Sequence, residues 1–250
     1  MTNSNNKLAW VNGAGTGIGA ASAKRLAREG MHVVLSGRRI EPLQKVADSI
    51  AADGGHVTVE PVDVSDAAAV NEVAQRILTD HGTVDVLVHS AGINIPNRAW
   101  ADLTPEDWQR IQRINVDGAF HCAHAVLPSM RNEGGGLMIF ISSWAGPYPS
   151  PIAGAAYSAS KSALDAMTHV LNQEESRHGI RACTVCPGEV ATEILDKRPN
   201  PPSAEARESM LQPEDLASLI HYLATCPPHM CVTKVILRPT HTRPIESLKS

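Results

Sequence analysis

No apolar run in this 250-residue chain approaches the roughly 20 residues that a membrane-crossing helix needs. Residues 1–7 are polar and lack the charged-then-apolar pattern of a secretory leader, so the cytoplasm is the expected setting. Nor is there a basic block. Lys and Arg number 22 against 26 Asp and Glu, a formal net charge of -4, which removes the electrostatic basis for general nucleic-acid or membrane-surface binding. A small-molecule partner is expected instead. The five cysteines are odd in number and scattered from Cys122 to Cys231, which does not make a disulfide framework and fits a reducing compartment. Cys183 and Cys186 form a C-x-x-C inside a short apolar run, but no second Cys or His pair stands at metal spacing. They are expected to pack in a strand, with no metal bound. His121 and His124 lie one helical turn apart without an acidic motif beside them and are expected to be solvated or packed.

What the chain does have is 43% apolar residues arranged as short runs alternating with longer amphipathic stretches, the pattern of βαβ units and a parallel sheet. Strands are predicted at 8–11, 32–36, 57–60, 84–89, 137–142, 181–186 and 232–237. Helices are predicted at 18–29, 42–52, 67–80, 105–131, 156–177 and 213–224. Right-handed crossovers would put helices on both faces of the sheet. Thr104, Pro105 and Asp107 mark one helix start, Gln212, Pro213 and Glu214 another, and Gly30, Gly82 and Gly179 each follow a helix end. One domain spanning residues 1–250 is expected. Residues 192–212, broken by Pro199, Pro201 and Pro202, are too irregular for a strand and too weakly periodic for a helix, and are expected to form a lid over a substrate.

Directly after the first strand stand Gly13, Gly15, Thr16, Gly17, Ile18 and Gly19, leading into a helix. Such a turn brings phosphates to free backbone N–H groups at a helix N-terminus, the arrangement that binds a dinucleotide pyrophosphate. A glycine-rich connection alone could serve only as a turn; its place between strand and helix favours the dinucleotide. At the tip of the second strand, where an acid would take a ribose 2'-OH, the chain has Gly37 followed by Arg38 and Arg39. A planar guanidinium suits a 2'-phosphate, so NADP is the expected cofactor, with NAD as the alternative that Glu41 leaves open. Asp63, after the third strand, is a candidate acceptor for the adenine amino group or simply a turn acid before Ser65 and Asp66.

Tyr157 and Lys161 are four residues apart at the start of a predicted helix, so they share a face. A neighbouring ammonium is expected to lower the phenol pKa toward a range useful for proton exchange. Ser142 and Ser143 end the strand upstream and put a hydroxyl at the carboxyl edge of the sheet, where open α/β folds bind ligands.

Gly13, Gly17 and Gly19 with Ser143, Tyr157 and Lys161 closely resemble the classical short-chain dehydrogenase/reductases, over nearly the whole chain. Asp63 and Val64, Ser90, Ala91 and Gly92, Asn115, and the run from Pro187 through Gly188, Val190 and Thr192 fit the same pattern. The resemblance implies a single-domain, Rossmann-type doubly wound α/β sheet of seven mainly parallel strands, and oxidoreduction between a carbonyl and an alcohol. It implies that Asn115 helps hold a relay water, that Lys161 also grips the nicotinamide ribose, and that Val190 and Thr192 meet the carboxamide and phosphate side of the cofactor. It further implies a homotetramer or homodimer, with helices 105–131 and 156–177 paired across an interface.

The chain departs from that pattern in places. Asn12 stands for the usual threonine and His89 for the first of two asparagines; both keep polar groups expected to pin the cofactor loop. The gap from Ser143 to Tyr157 is one residue longer, which loop 147–155 can absorb or which could give Ser142 the role instead. The end of the last strand, at 237–240, lacks the usual glycine pair and resembles an NADP-using branch that reduces ketones and oxidises hydroxy acids. Residues 93–100, Trp144, Tyr148, Ile152 and 193–210 are candidate walls of a substrate pocket, with Arg98 a candidate partner for a carboxylate. A cofactor-binding sensor on the same fold would not need Tyr157 or Lys161. An epimerase or dehydratase would need a larger C-terminal region, and a serine hydrolase would need a G-x-S-x-G elbow around Ser143.

Overall fold

The computed structural model describes residues 7–198 and 201–240. The polar start at 1–6 and Pro199 lie outside the described residues. Seven strands form one sheet in the order β3-β2-β1-β4-β5-β6-β7, and every pairing is parallel. The strands are β1 (Leu8–Asn12), β2 (His32–Ser36), β3 (Val57–Val59), β4 (Val86–His89), β5 (Gly136–Ile141), β6 (Ile180–Pro187) and β7 (Lys234–Leu237). The expected strands are all present; β4 and β7 start two residues late because Val84 and Val232 precede the ladder.

Alternate strand residues enter two cores. Ala9, Val11, Val33 and Leu35 meet the helices α1 (Gly17–Arg28), α2 (Ile40–Ala52) and α8 (Pro213–Thr225). Leu8, Trp10 and Val34 face α3 (Ala67–His81), α5 (Gly118–Glu133) and α6 (Ala155–Glu175). This two-sided burial is why the central strands read as continuous apolar runs. Trp10 sits fully buried in β1, and its indole N–H donates to Ser36 Oγ at 2.8 Å. Ser36 in turn donates to the Glu60 carbonyl at 2.7 Å, which ties three strands together at their carboxyl end. Cys183 and Cys186 are both buried and, three residues apart in β6, lie on opposite faces of the sheet. They are packing residues, and among the described residues no His, Cys, Asp and Glu group could hold a metal ion.

The helix predicted over 105–131 is instead two helices. α4 (Pro105–Gln112) and α5 flank a five-residue π turn, Arg113–Asp117. α4 is capped as expected, Thr104 accepting from the Asp107 N–H at 3.1 Å. The wider turn aims Asn115 at the backbone of Ile93, and Gly118 lets α5 approach β-side residue Val64, since a Cβ there would stand 2.6 Å from Val64 Cγ2. Residues 192–212 are more regular than expected: a 3₁₀ turn at Glu193–Lys197, the short helix α7 (Ala204–Glu208) and a parallel bridge from Val190 to Leu211. No helix among the described residues is long and apolar enough to cross a membrane.

Candidate active site

Strand order reverses between β1 and β4, whose last residues Asn12 and His89 are neighbours in register. The crevice beyond that point is where doubly wound sheets bind ligands. Two cavities open there, of about 590 and about 140 Å³, and they share Gly13, Thr16, Ala91 and Gly92.

The smaller cavity is lined by Gly15, Gly37, Arg38, Arg39, Asp63 and Val64. Arg38 and Arg39 are exposed on its rim. Glu41, the acid that left NAD open, is ion-paired with Lys45 on α2 at 2.9 Å. Asp63 Oδ1 accepts from Ser65 N–H at 3.0 Å and Ser65 Oγ at 2.8 Å, so the carboxylate braces the turn before α3 while still facing the cavity.

Between the two cavities lies the glycine turn. Gly13 takes a left-handed φ of 75°, and a Cβ there would lie 2.6 Å from Ala91 N; one at Gly19 would lie 2.2 Å from Gly13 O. Only glycine at these two positions lets β1, α1 and the loop after β4 meet so closely. The first turn of α1 has no acidic residue, and Thr16 makes no side-chain cap, so its N–H groups face the cavity without an anionic competitor. Ile18 and Thr192 complete this wall, a Cβ at Gly17 coming within 3.1 Å of Thr192. The cradle and the uncapped helix fit a dinucleotide phosphate.

The larger cavity brings together Ser143, Tyr157 and Lys161 with Ser90, Ala91, Gly92, Pro187, Gly188, Val190 and Thr192. Ser142 and Ser143 have separate jobs: Ser142 Oγ donates to the Lys161 carbonyl at 2.8 Å, while Ser143 Oγ accepts from Ala145 N–H at 3.2 Å and stands beside Tyr157. Lys161 is buried, donates to the Ile141 carbonyl at 2.8 Å, and has its ammonium 5.6 Å from the centre of the Tyr157 ring. Burial lowers its pKa to about 8.

The expected effect on the phenol is not what the structure gives. Burial pushes the Tyr157 pKa up, and the groups that pull it down are the Ser143 hydroxyl and the guanidinium groups of Arg198 and Arg98; Lys161 is not among them. The physical reason is desolvation of a half-buried ring, which outweighs a charge that faces the carbonyl of Ile141. Arg198 lies within the candidate wall 193–210, but the sequence could not single it out, because the proline-broken segment has no periodicity to say which way a side chain points.

Asn115 lines neither cavity. Its amide oxygen accepts from Ile93 N–H at 2.8 Å, and its amide nitrogen donates to Ile93 O and Ser160 Oγ, each at 3.0 Å. It thus braces α6 against the loop after β4. Asn12 and His89 depart from expectation too. Both are buried, neither side chain makes a well-formed hydrogen bond, His89 having only the nearby Ala91 backbone, and burial takes the His89 pKa down to about 3, so the ring is neutral. The loop is pinned by backbone instead: Ser90 N–H donates to Asn12 O at 2.9 Å, and Gly13 and Ala14 N–H donate to Ser36 O at 2.8 and 3.0 Å. Of the candidate pocket walls, Asn94, Arg98, Trp144, Ile152, residues 193–195 and Arg198 line the cavity. Trp100 is exposed, and Tyr148 stacks on Trp144 with ring centres 4.5 Å apart, outside the lining.

The pattern that defines the short chain dehydrogenase family matches residues 7–202. An uncharacterized oxidoreductase of Staphylococcus aureus strain USA300 is 34% identical over 239 residues, which is 96% of this chain and all of that protein. Among solved structures, an alcohol dehydrogenase from the archaeon Thermococcus sibiricus complexed with 5-hydroxy-NADP superposes with a TM-score of 0.85 at 29% identity, covering 95% of this chain and 98% of that one. A metagenomic short-chain oxidoreductase in complex with NADP gives 0.83 at 31% identity, covering 96% and 100%. A seven-stranded parallel sheet with a glycine cradle and a Ser, Tyr and Lys cluster at its switch point defines a nucleotide-dependent oxidoreductase architecture. The chain belongs to the short-chain dehydrogenase family and is an oxidoreductase.

Proposed function

We propose that this protein interconverts a ketone or aldehyde with the corresponding alcohol, using NADP(H), and that Tyr157 is its general acid and base. The observation that carries the reading is the meeting of Ser143, Tyr157 and Lys161 in one cavity that continues into the glycine cradle. A bound nicotinamide dinucleotide would supply the hydride. The remaining chemistry falls to the chain. Gly13, Gly15, Thr16, Gly17, Ile18 and Gly19 would hold the pyrophosphate at the α1 N-terminus. Arg38 and Arg39 would receive the 2'-phosphate, and Asp63 and Val64 the adenine; that choice of NADP over NAD agrees with Glu41 being engaged by Lys45. Ser90, Ala91, Gly92, Pro187, Gly188, Val190 and Thr192 would form the nicotinamide wall. Ser143 orients the carbonyl oxygen, Tyr157 gives or takes its proton, Lys161 holds the ribose, and Asn115, its side-chain amide spent on Ile93 and Ser160, keeps α6 in place.

The chain acts as one domain of a cytoplasmic homotetramer or homodimer, with residues 192–212 as the lid over the substrate. Tyr157→Phe tests the central assignment. Turnover is expected to fall by about a hundredfold or more, while the NADPH Kd, read by fluorescence titration, changes little. Equal loss of both would refute the role of the phenol.

A further inference from the structure

Away from both cavities, at the amino end of the strands, three histidines gather beside one threonine hydroxyl. His32 opens β2, Thr58 is the middle residue of β3, His81 ends α3, and His56 stands just before β3. Thr58 pairs in register with Val34, so its side chain and that of His32, two residues before Val34, lie on the face that α3 covers. His32 Nε2 is 2.9 Å from Thr58 Oγ1, and His81 Nε2 is 3.3 Å from the same oxygen. The His32 and His81 rings stand 4.4 Å apart between centres, and the His56 ring 6.4 Å from that of His32.

A hydroxyl has one proton to give. One ring therefore donates its N–H to Thr58 Oγ1 while the other accepts the hydroxyl proton, and both rings are neutral in that arrangement. A proton added to the accepting ring removes its lone pair. A second would set two cations 4.4 Å apart, with the His56 ring close by. Burial, His81 and His56 all lower the His32 pKa. His81 faces it from α3 and His56 from the turn before β3, while Lys7, before β1, offers the carbonyl that accepts from His32 N–H at 2.9 Å. Asp85, before β4, is taken by Leu8 N–H at 2.8 Å, and the Arg28–Asp53 ion pair belongs to the α1 and α2 layer on the other face. The trio matters because β3 is an edge strand of only three residues. Its far end is tied to α3 by Glu60, which accepts from Arg76 Nη2 at 2.9 Å, and the chain beyond carries Asp63 and Val64 into the smaller cavity.

We propose that His32, Thr58 and His81 form a clasp that acid releases. At neutral pH it fastens β2 and β3 to the end of α3; once the imidazoles take up protons, β3 loosens, and with it the adenine wall at Asp63 and Val64. The effect on the adenine wall rests on the reading of the smaller cavity as a dinucleotide site; the clasp itself does not. Its sign follows from linkage. The closed clasp resists a proton that the open one accepts, so its stability is present above the ordinary imidazole value of 6.5 and is lost as pH falls through that value toward the depressed one.

The test is hydrogen exchange of segments 56–60 and 78–82, corrected for the intrinsic rate, at about pH 7.5 and about pH 5.5. It compares wild type, the double variant His32→Gln with His81→Gln, and Thr58→Val. Glutamine keeps a neutral donor and acceptor at the hydroxyl without titrating, and valine keeps the strand while removing the hydroxyl. Exchange in wild type is expected to rise about tenfold in acid, the factor by which that pH favours a proton on an ordinary imidazole. The double variant should show no such rise, and Thr58→Val should exchange fast at both values. Equal acid acceleration in wild type and the double variant, or none in either, overturns the clasp, as does Thr58→Val exchanging as slowly as wild type. NADPH titrations of the same proteins, in which the phosphate of the ligand titrates alike, should show affinity falling further in acid for wild type than for the double variant. An equal fall overturns the link to the cofactor. Absence of NADPH binding by all three proteins overturns the dinucleotide reading, and the exchange result then decides the clasp alone.

Discussion

At the scale of single residues, the site is governed by what burial does to charge. Lys161 is a cation enclosed by protein, with a pKa of about 8 against an ordinary 10.5. Below about 8 both folded and unfolded chains hold its proton, and the fold bears the desolvation cost; between about 8 and 10.5 the unfolded chain binds more protons, so stability from this site rises with pH. The difference in unfolding free energy between wild type and Lys161→Met is therefore expected to move in favour of wild type as pH rises through that window, as urea titrations would read. The family spacing of Tyr157 and Lys161 was plain in the sequence. Their electrostatics were not, because the Ile141 carbonyl that takes the ammonium is a backbone group of β5, and side-chain spacing gives no sign of that contact. Arg38 is the opposite case: it is exposed, and its significance came from its position after β2 rather than from any contact. Arg38→Ala is expected to weaken NADPH by about tenfold, the value of one charge-assisted contact, with NADH nearly unaffected. Equal weakening of both in a paired titration would remove the 2'-phosphate assignment.

At the scale of elements, most helices were legible from period and caps, and the failures have one cause. The π turn at Arg113–Asp117 exists because Asn115 satisfies the backbone of Ile93, a tertiary demand invisible to local periodicity. The same holds for the pairing of α5 and α6. Glu175 on α6 is buried and accepts from Arg131 Nε at 2.7 Å and Nη2 at 2.5 Å, a two-point bond to a half-exposed arginine. Arg131 holds the Glu175 pKa below its ordinary value. Its contribution is thus present above the ordinary carboxylate range and is lost as pH falls through the depressed folded value. Arg131→Ala leaves the Glu175 carboxylate without its partner and is expected to lower stability at neutral pH. Denaturation at successive pH values checks the assignment: the gap to wild type should close in acid. A gap that persists in acid would mean that Arg131 acts through packing alone.

At the scale of the whole molecule, alternating apolar runs gave the parallel sheet and its two helical layers, because every strand but the two edges, β3 and β7, must be buried on both sides. They did not give the convergence of Arg198 on Tyr157, which depends on a tertiary contact, the parallel bridge from Val190 to Leu211. Assembly is the remaining question at this scale. Trp108 on α4, Phe120 on α5 and Val170 on α6 are exposed apolar side chains on the layer that faces away from α1, α2 and α8. Phe120 stands 53% exposed with His124 stacked on it at 5.4 Å, an apolar surface that water alone does not favour. Helix packing through α4, α5 and α6 of two copies would bury it, as the proposed oligomer requires. Sedimentation velocity of wild type is expected to show a dimer or tetramer, and Phe120→Asp combined with Val170→Asp a smaller species with its far-ultraviolet circular dichroism retained. A monomeric wild type at micromolar concentration would remove the interface, and an unchanged assembly in the double variant would move it to another face.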